Sequence, residues 1–263
     1  MITSTSNAKV KYLVNLKKKR KERDKENVFL VEGIRMFREV PSDKLREVYV
    51  SESFYKKERK LADEIAKKSG ICVEILSDSV FAHVSDTMTP QGVLCVVEQM
   101  NYTLDAVLEN GKVPHLIVLD NLQDPGNLGT IVRTAEGAGV TGVIMSKETV
   151  DIYNPKVIRS TMGSIYRMPF YYAEDLLDAI SEMKKRNIST YAAHLDGKNA
   201  YDAEDYKKPC AFFIGNEGNG LRDEIAEAAD IYIRIPMCGQ VESLNAAIAA
   251  CVLMFEAARQ RRK

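Results

Sequence analysis

IPMCGQVESLNAAIAACVLMFEAARQRRK, residues 235–263, runs from a short polar loop into one strongly apolar helix. The loop Met237–Glu242 is small and polar, and Gly239 gives its backbone freedom. Ser243 stands where an N-cap belongs, because its hydroxyl can satisfy an orphan amide of the first turn. Behind it Leu244, Ile248, Cys251, Val252 and Phe255 recur at helical spacing, with Ala246, Ala247, Ala249 and Ala250 between them. A helix that is apolar nearly all round is packed on more than one side. Two readings stand side by side: a binding loop mounted on an immobile helix, or a core helix after an ordinary loop.

The rest of the chain sets bounds on that choice. Its 263 residues suit one large domain or two modest ones, and an apolar fraction of 45% supplies ample core. Lys+Arg and Asp+Glu balance at 37 each, so net charge is silent about a polyanionic partner. Its distribution is not. Between Lys9 and Glu26 nine bases face three acids, and Arg259, Arg261, Arg262 and Lys263 end the tail. Such clusters are the footprint of nucleic-acid binding or the solvated face of a helix. Five cysteines without CxxC spacing suggest free thiols in a reducing cytoplasm, and three widely separated histidines suggest no metal site. No apolar run reaches membrane-spanning length, and MITSTSNAKVKYL lacks the apolar core of a signal peptide, so a cytoplasmic address is expected.

Taken in order, residues 1 to about 26 read as a basic helical arm. Strands are predicted at VFLVE (Val28–Glu32), REVYVSES, ICVEILS and GVLCVVEQ (Gly92–Gln99), with helices at GIRMFREV, YKKERKLADEIAKKSG and SVFAHVSD between them. That alternation makes a domain of residues 1–100. Residues 101–112, weakly periodic and polar, read as a linker. From 113 to 263 a second alternation follows: strands HLIVLD, VTGVIMS, STYAAHLD, CAFFIGN and IYIRIP, with helices TIVRTAEGAG, Ala173–Arg186, GLRDEIAEAADI and the C-terminal one. Strands alternating with helices imply an α/β domain with a parallel sheet covered on both faces.

Three loops in the second domain follow strand ends, where open α/β sheets bind ligands. In LDNLQDPGNLGTIVRTAEGAG, Asp124–Asn127 is a turn tetrapeptide, Asn127 is placed to cap a helix, and Arg133 falls on its first or second turn. An arginine there is either a surface ion-pair residue or one aimed at the loop. In IGNEGNGLRDE the glycines read GxxGxG, the reverse of the dinucleotide fingerprint, and no Lys-Ser/Thr follows, which disfavours both a nicotinamide site and a Walker loop. What remains is a backbone cradle with one carboxylate, Glu217, alternatively a solvated turn residue. The third loop is the one after Ile235.

Together, DNLQDPGNLGTIVRTAEGAG, FFIGNEGNGL and IPMCGQVESLNAAIAACVLMFEAARQRR resemble the three motifs of the SpoU (TrmH-like) RNA 2′-O-ribose methyltransferases of the SPOUT superfamily. VIRSTMGSIYRMPF is similar to the segment between the first and second motifs. The likeness spans roughly Leu116–Arg262, in order, and three motifs in series are far more specific than any one of them. The first hundred residues resemble, more loosely, the small αβ RNA-binding domain often fused in front, related to ribosomal-protein folds.

The resemblance implies a trefoil-knotted parallel-sheet domain that holds S-adenosylmethionine through Gly215, Asn216, Ile235, Pro236, Met237 and Leu244. It places Arg133 beside the target ribose, contributed across a homodimer interface, where a guanidinium can clamp phosphate. Asn127, Glu217, Ser243 and Asn245 map onto the remaining catalytic positions. Lys9, Lys11, Lys17, Lys18, Lys19, Arg20 and Arg159 are the expected RNA contacts. The implied function is S-adenosylmethionine-dependent methylation of an RNA 2′-hydroxyl, with ribosomal RNA favoured over transfer RNA and with neither metal nor membrane involved. A non-catalytic RNA-binding or ribosome-assembly factor is the alternative of a different class.

Overall fold

The computed structural model describes residues 1–262; Lys263, the last of the tail cations, lies outside the described residues. In chain order the elements are α1 (Ala8–Lys18), α2 (Arg20–Glu26), β1 (Val28–Glu32), α3 (Ile34–Glu39), β2 (Leu45–Ser51), α4 (Glu52–Lys68), β3 (Val73–Leu76), α5 (Asp78–Val84) and β4 (Val93–Glu98). There follow α6 (Leu104–Leu108), β5 (His115–Leu119), α7 (Pro125–Ala138), β6 (Gly142–Ser146), α8 (Pro155–Thr161), β7 (Phe170–Ala173), α9 (Leu176–Lys185), β8 (Ser189–Ala193), β9 (Asn199–Ala200), β10 (Cys210–Ile214), α10 (Asp223–Glu227), β11 (Ile231–Arg234) and α11 (Ala246–Arg261). The chain forms two compact units: Met1–Met100 with Asp151–Tyr166, and Asn101–Val150 with Arg167–Lys263.

The first unit is built on a sheet of order β1-β4-β2-β3, in which β4 runs antiparallel to both neighbours and β2 parallel to β3. The basic arm expected over residues 1–26 is not one free helix. Val10, Leu13 and Leu16, spaced three apart and so on one face of α1, are fully buried, while Lys11, Lys18 and Lys19 face solvent. Lys19 adopts an extended conformation (φ −121°, ψ 114°) that breaks the helix, and ahead of it Ile2 bridges Leu76 beside β3. Arg23 is buried at 4% exposure; its guanidinium donates to the Leu16 carbonyl at 2.7 Å, ending α1, and to Asp151 at 2.5 Å. The segment 151–166 completes this unit: Tyr153 packs its ring 4.7 Å from that of Phe29 and donates its hydroxyl to the Met100 carbonyl.

In the second unit all seven strands are parallel, in the order β7-β6-β5-β10-β8-β11-β9. Every residue of β5, β6 and β10 is buried, as the unbroken apolar runs HLIVL, GVIMS and CAFFI require of strands covered on both faces. The expected linker 101–112 carries α6, capped by Thr103, with Val107 and Leu108 in the core of this unit. Two strands escaped the sequence reading. β7 falls where no element is expected, touching only at Ala173 the helix expected over Ala173–Arg186, which itself begins at Leu176, capped by Asp175; β9 is a two-residue edge strand without its own apolar signal. The last helix is also less enclosed than its composition suggests. Ala246, Ala247, Ala250, Leu253 and Met254 are buried, and α11 packs on α7, yet Ile248 and Phe255 remain 52% and 46% exposed in the single chain.

Removing the acidic partner of Arg23 leaves a buried guanidinium without a counter-charge, at a cost of about 3–5 kcal/mol. Asp151→Ala is therefore expected to lower the urea midpoint of the first unit strongly. With no tryptophan in the chain, tyrosine near-UV circular dichroism is the suitable probe.

Candidate active site

β5 and β10 are neighbours in parallel register, with Leu119 level with Ile214, so the loops leaving their C-terminal ends start side by side. This brings together two motifs about ninety residues apart in the chain, at the point where the sheet reverses its order of connection. Three sets of bonds lock them. Asp120, fully buried, accepts from the backbone N–H of Arg222 (2.9 Å) and from its Nε (2.9 Å) and Nη2 (2.8 Å). Asn216 donates from Nδ2 to the Asn121 carbonyl at 2.8 Å. Between these, Asn216 and Gly220 exchange backbone bonds of 2.9 and 3.0 Å, closing a tight turn. A Cβ on Gly215 would lie 2.1 Å from the Gly220 carbonyl carbon, so only glycine fits there.

The third set is made by Glu217 at the apex of the turn. Its carboxylate accepts from the backbone N–H of Gln123 (3.1 Å), the backbone N–H of Asp124 (2.9 Å) and Nδ2 of Asn127 (3.0 Å). Asn127 Oδ1 in turn accepts from Nδ2 of Asn245 at 3.0 Å. Asn245 Oδ1 accepts from the backbone N–H of Ala247 (2.9 Å) and Ile248 (3.3 Å), capping α11. One relay, Glu217–Asn127–Asn245, thus joins all three loops.

The relay revises two expected caps. Asn127 does not cap α7; Asp124 does, accepting from the Asn127 N–H at 2.8 Å, with Pro125 at the first helical position where its missing donor costs nothing. Ser243 does not cap α11, is exposed, and makes no hydrogen bond among the described residues; Asn245 takes the role two positions later. Arg133 also moves. Because α7 starts at Pro125, Arg133 is on its third turn, about 9 Å along the axis from Asn127. It is exposed and forms no hydrogen bond or ion pair among the described residues.

For a cofactor, Gly215 and Asn216 offer main-chain groups, and Ile235, Met237 and Leu244 are half-buried apolar side chains, with Pro236 exposed. Sequence reasoning missed a fourth wall. β8 lies between β10 and β11, so its continuation His194–Leu195 emerges between the second and third loops, with Leu195 68% exposed. The signal was an apolar residue in HLDG just past a strand end, which only the strand order makes meaningful. Apolar side chains beside a glycine-rich turn with free main-chain groups suit a flat heteroaromatic ring with a polar edge.

The expected RNA contacts lie in the first unit and are not equivalent. Lys9 pairs with Glu74 at 2.5 Å, Arg20 with Asp24 at 3.4 Å and Arg159 with Asp86, while Lys17 donates to the Ser85 carbonyl at 2.9 Å. Lys11, Lys18 and Lys19 project into solvent.

Burial pushes the Glu217 carboxyl upward, but the hydrogen bonds from Asn127, Asp124 and Gln123 outweigh it and hold its pKa below the ordinary value. A depressed folded-state pKa adds stability above the unfolded value, about 4.3, and loses it as pH falls through the depressed one. Glu217→Gln is expected to unfold at a lower temperature than wild type near neutrality, with the gap closing as pH falls below the ordinary carboxylate value of about 4.3. A gap independent of pH would show that charge is not what binds the loops.

The chain also matches known proteins over both of its units. Residues 114–255 match the SpoU rRNA Methylase family, and residues 7–95 match the MRM3-like substrate binding domain. The 23S rRNA (guanosine(2553)-2′-O)-methyltransferase RlmP of Bacillus subtilis is 33% identical over 254 residues, 97% of either chain. The AdoMet-bound rRNA methyltransferase from Sinorhizobium meliloti superposes with a TM-score of 0.83 at 31% identity, covering 98% of this chain and 97% of that one. The TrmH/SpoU tRNA modifying enzyme of A. aeolicus superposes over 60% of this chain and 80% of its own, with a TM-score of 0.52 at 31% identity. On the match of its second unit, on the relatives that match both units, and on the three interlocked loops, the chain belongs to the SpoU rRNA methylase family.

Proposed function

We propose that this protein transfers a methyl group from S-adenosylmethionine to a ribose 2′-hydroxyl of ribosomal RNA. The observation that carries the reading is the Glu217–Asn127–Asn245 relay, which makes one rigid body of three loops at the C-terminal ends of β5, β10 and β11. Ribosomal RNA is favoured over transfer RNA because the likeness to the rRNA enzymes extends over both units, whereas the likeness to the tRNA-modifying enzyme covers 60% of the chain. Such a role places the protein in the cytoplasm.

S-adenosylmethionine, when bound, supplies the electrophilic methyl group. Gly215, Asn216 and Met237 would hold it by backbone groups, and Ile235, Leu244 and Leu195 would flank its adenine, with Pro236 shaping the loop. The protein's part is then alignment, holding the attacking oxygen in line and in a water-poor setting. Asn127, Glu217 and Asn245 keep the loops in place, and Ser243, exposed and unbonded, is available to the substrate.

Arg133 is the residue assigned to the RNA. It is always protonated, so its role is to clamp the phosphate and orient the 2′-oxygen rather than to accept the proton. It stands outside its own chain's relay, which fits delivery to the site of a second copy. Ile248 and Phe255, seven apart on one exposed face of α11, supply an apolar surface for that homodimer. A knotted C-terminal path belongs to the same reading.

The test is transfer of labelled methyl into unmodified ribosomal RNA and, separately, transfer RNA, with nuclease digestion to place the label. Label on a ribose 2′-oxygen of ribosomal RNA is expected; label on a base, or none with intact cofactor binding and assembled particles supplied, would overturn the reaction. Arg133→Ala is expected to lower kcat on the order of a hundred-fold, the scale of losing one charge-stabilising donor, without weakening cofactor binding. Mixed dimers of Arg133→Ala and Asn127→Ala subunits should regain activity that neither variant has alone, measured after co-purification with two tags.

A further inference from the structure

Between α5 and β4 the chain makes a loop, Ser85–Gln91, whose two feet are fixed and whose tip is bare. At the first foot the Glu32 carboxylate accepts from the Ser85 hydroxyl (2.6 Å), the Asp86 N–H (3.0 Å) and the Thr87 hydroxyl (2.8 Å). At the second, Gln91 Oε1 accepts from the Ile34 N–H at 3.0 Å. Gly92 follows at φ 84°, where a Cβ would come within 2.6 Å of Phe54 Cβ and 2.7 Å of Ser51 Oγ. The path of the loop is therefore set by specific bonds and by a close approach that only glycine permits. On that scaffold Met88 is held entirely in solvent, with Thr89 and Pro90 exposed beside it.

Cations surround the base of the loop while the tip carries no charge. Lys17 donates to the carbonyls of Ser85 (2.9 Å) and His83 (3.5 Å), and Arg159 pairs with Asp86. Lys156 lies three residues before Arg159 on α8, and Arg35 is exposed one residue after Ile34. Lys18 and Lys19 continue the positive surface from Lys17. Of the carboxylates beside these cations, Glu32 is engaged by donors in the loop itself, Asp86 by Arg159 on α8, and Glu39 by Arg35 at 3.7 Å.

We propose that this loop is an RNA contact in which Met88 packs against an unstacked base of the substrate while Lys17 and Lys18 hold the flanking phosphates. The inference deepens the RNA-methyltransferase reading and rests on it. A nucleic acid fits both halves of the surface, since its phosphates suit the cations and its unpaired bases present apolar faces. A flexible thioether adapts to an aromatic face, and the hydroxyl of the adjacent Thr89 stands close enough in the chain to reach a base edge. The RNA surface expected from the basic residues of α1, α2 and α8 is thereby extended to this loop.

The experiment compares full-length wild type with Met88→Glu, Met88→Ala and Met88→Leu, measuring methyl transfer and equilibrium binding on unmodified ribosomal RNA. Loss of one base contact is expected to raise the RNA KM and Kd about five-fold for alanine and ten-fold or more for glutamate. Leucine should stay within about two-fold, and kcat at saturating RNA and cofactor affinity should be unchanged, since the loop holds no cofactor residue. A photo-crosslinking residue at position 88 should label RNA. Unchanged RNA binding by Met88→Glu, or crosslinks only to a ribosomal protein in an assembled particle, would overturn the proposal. Because binding is read apart from turnover, an inactive wild type would strike the reaction without deciding the role of Met88.

Discussion

The second unit depends on one carboxylate meeting three donors. Glu217 sits at the apex of a turn that has no apolar residue to bury, so nothing hydrophobic holds that turn against the loop after β5. What holds it is the pair of backbone amides at Gln123 and Asp124 and the side-chain amide of Asn127. Charge-assisted bonds of this kind are stronger than neutral ones. Without them two amides at the start of α7 would lack their partner.

The direction of donors and acceptors explains why asparagine occupies two positions of the relay. Asn245 must accept from the first-turn amides of α11 and at the same time donate to Asn127. Asn127 must accept from Asn245 and donate to a carboxylate. Only a carboxamide carries both an acceptor oxygen and a nitrogen donor, each at a fixed place; an aspartate could cap the helix but not donate onward. The Asp120–Arg222 pair secures the other end of the same turn; Arg222 stands at the N-cap of α10 but, having no acceptor, cannot cap it, and donates to Asp120 and Glu224.

The first unit answers a different need. Its leading helices carry a dense positive charge and still bury Val10, Leu13 and Leu16, so one face serves the core and the other faces solvent. Arg23 shows that composition alone cannot sort such cations: among nine bases in that stretch it is a buried element, ending α1 and anchoring Asp151. The segment from Asp151 is similar in sequence to a piece of the methylase family, and it packs as part of the unit that holds the basic helices.

Much of this protein was legible in its residues. Unbroken apolar runs announced buried parallel strands, alternation announced two αβ units, and the three motif loops marked the candidate site, because each of these signals is local. β7 and β9 were not legible, being short and flanked by residues with helical or turn preference. Neither were the caps of α7 and α11, where Asp124 and Asn245 outcompete Asn127 and Ser243 once the start of each helix is set by tertiary packing. Which residues of the loops touch one another and that Leu195 emerges between them were decided by the strand order, and that Arg133 stands apart from them by where α7 begins. Placing β10 between β5 and β8 makes neighbours of residues about ninety apart, and no local periodicity encodes which strands become neighbours.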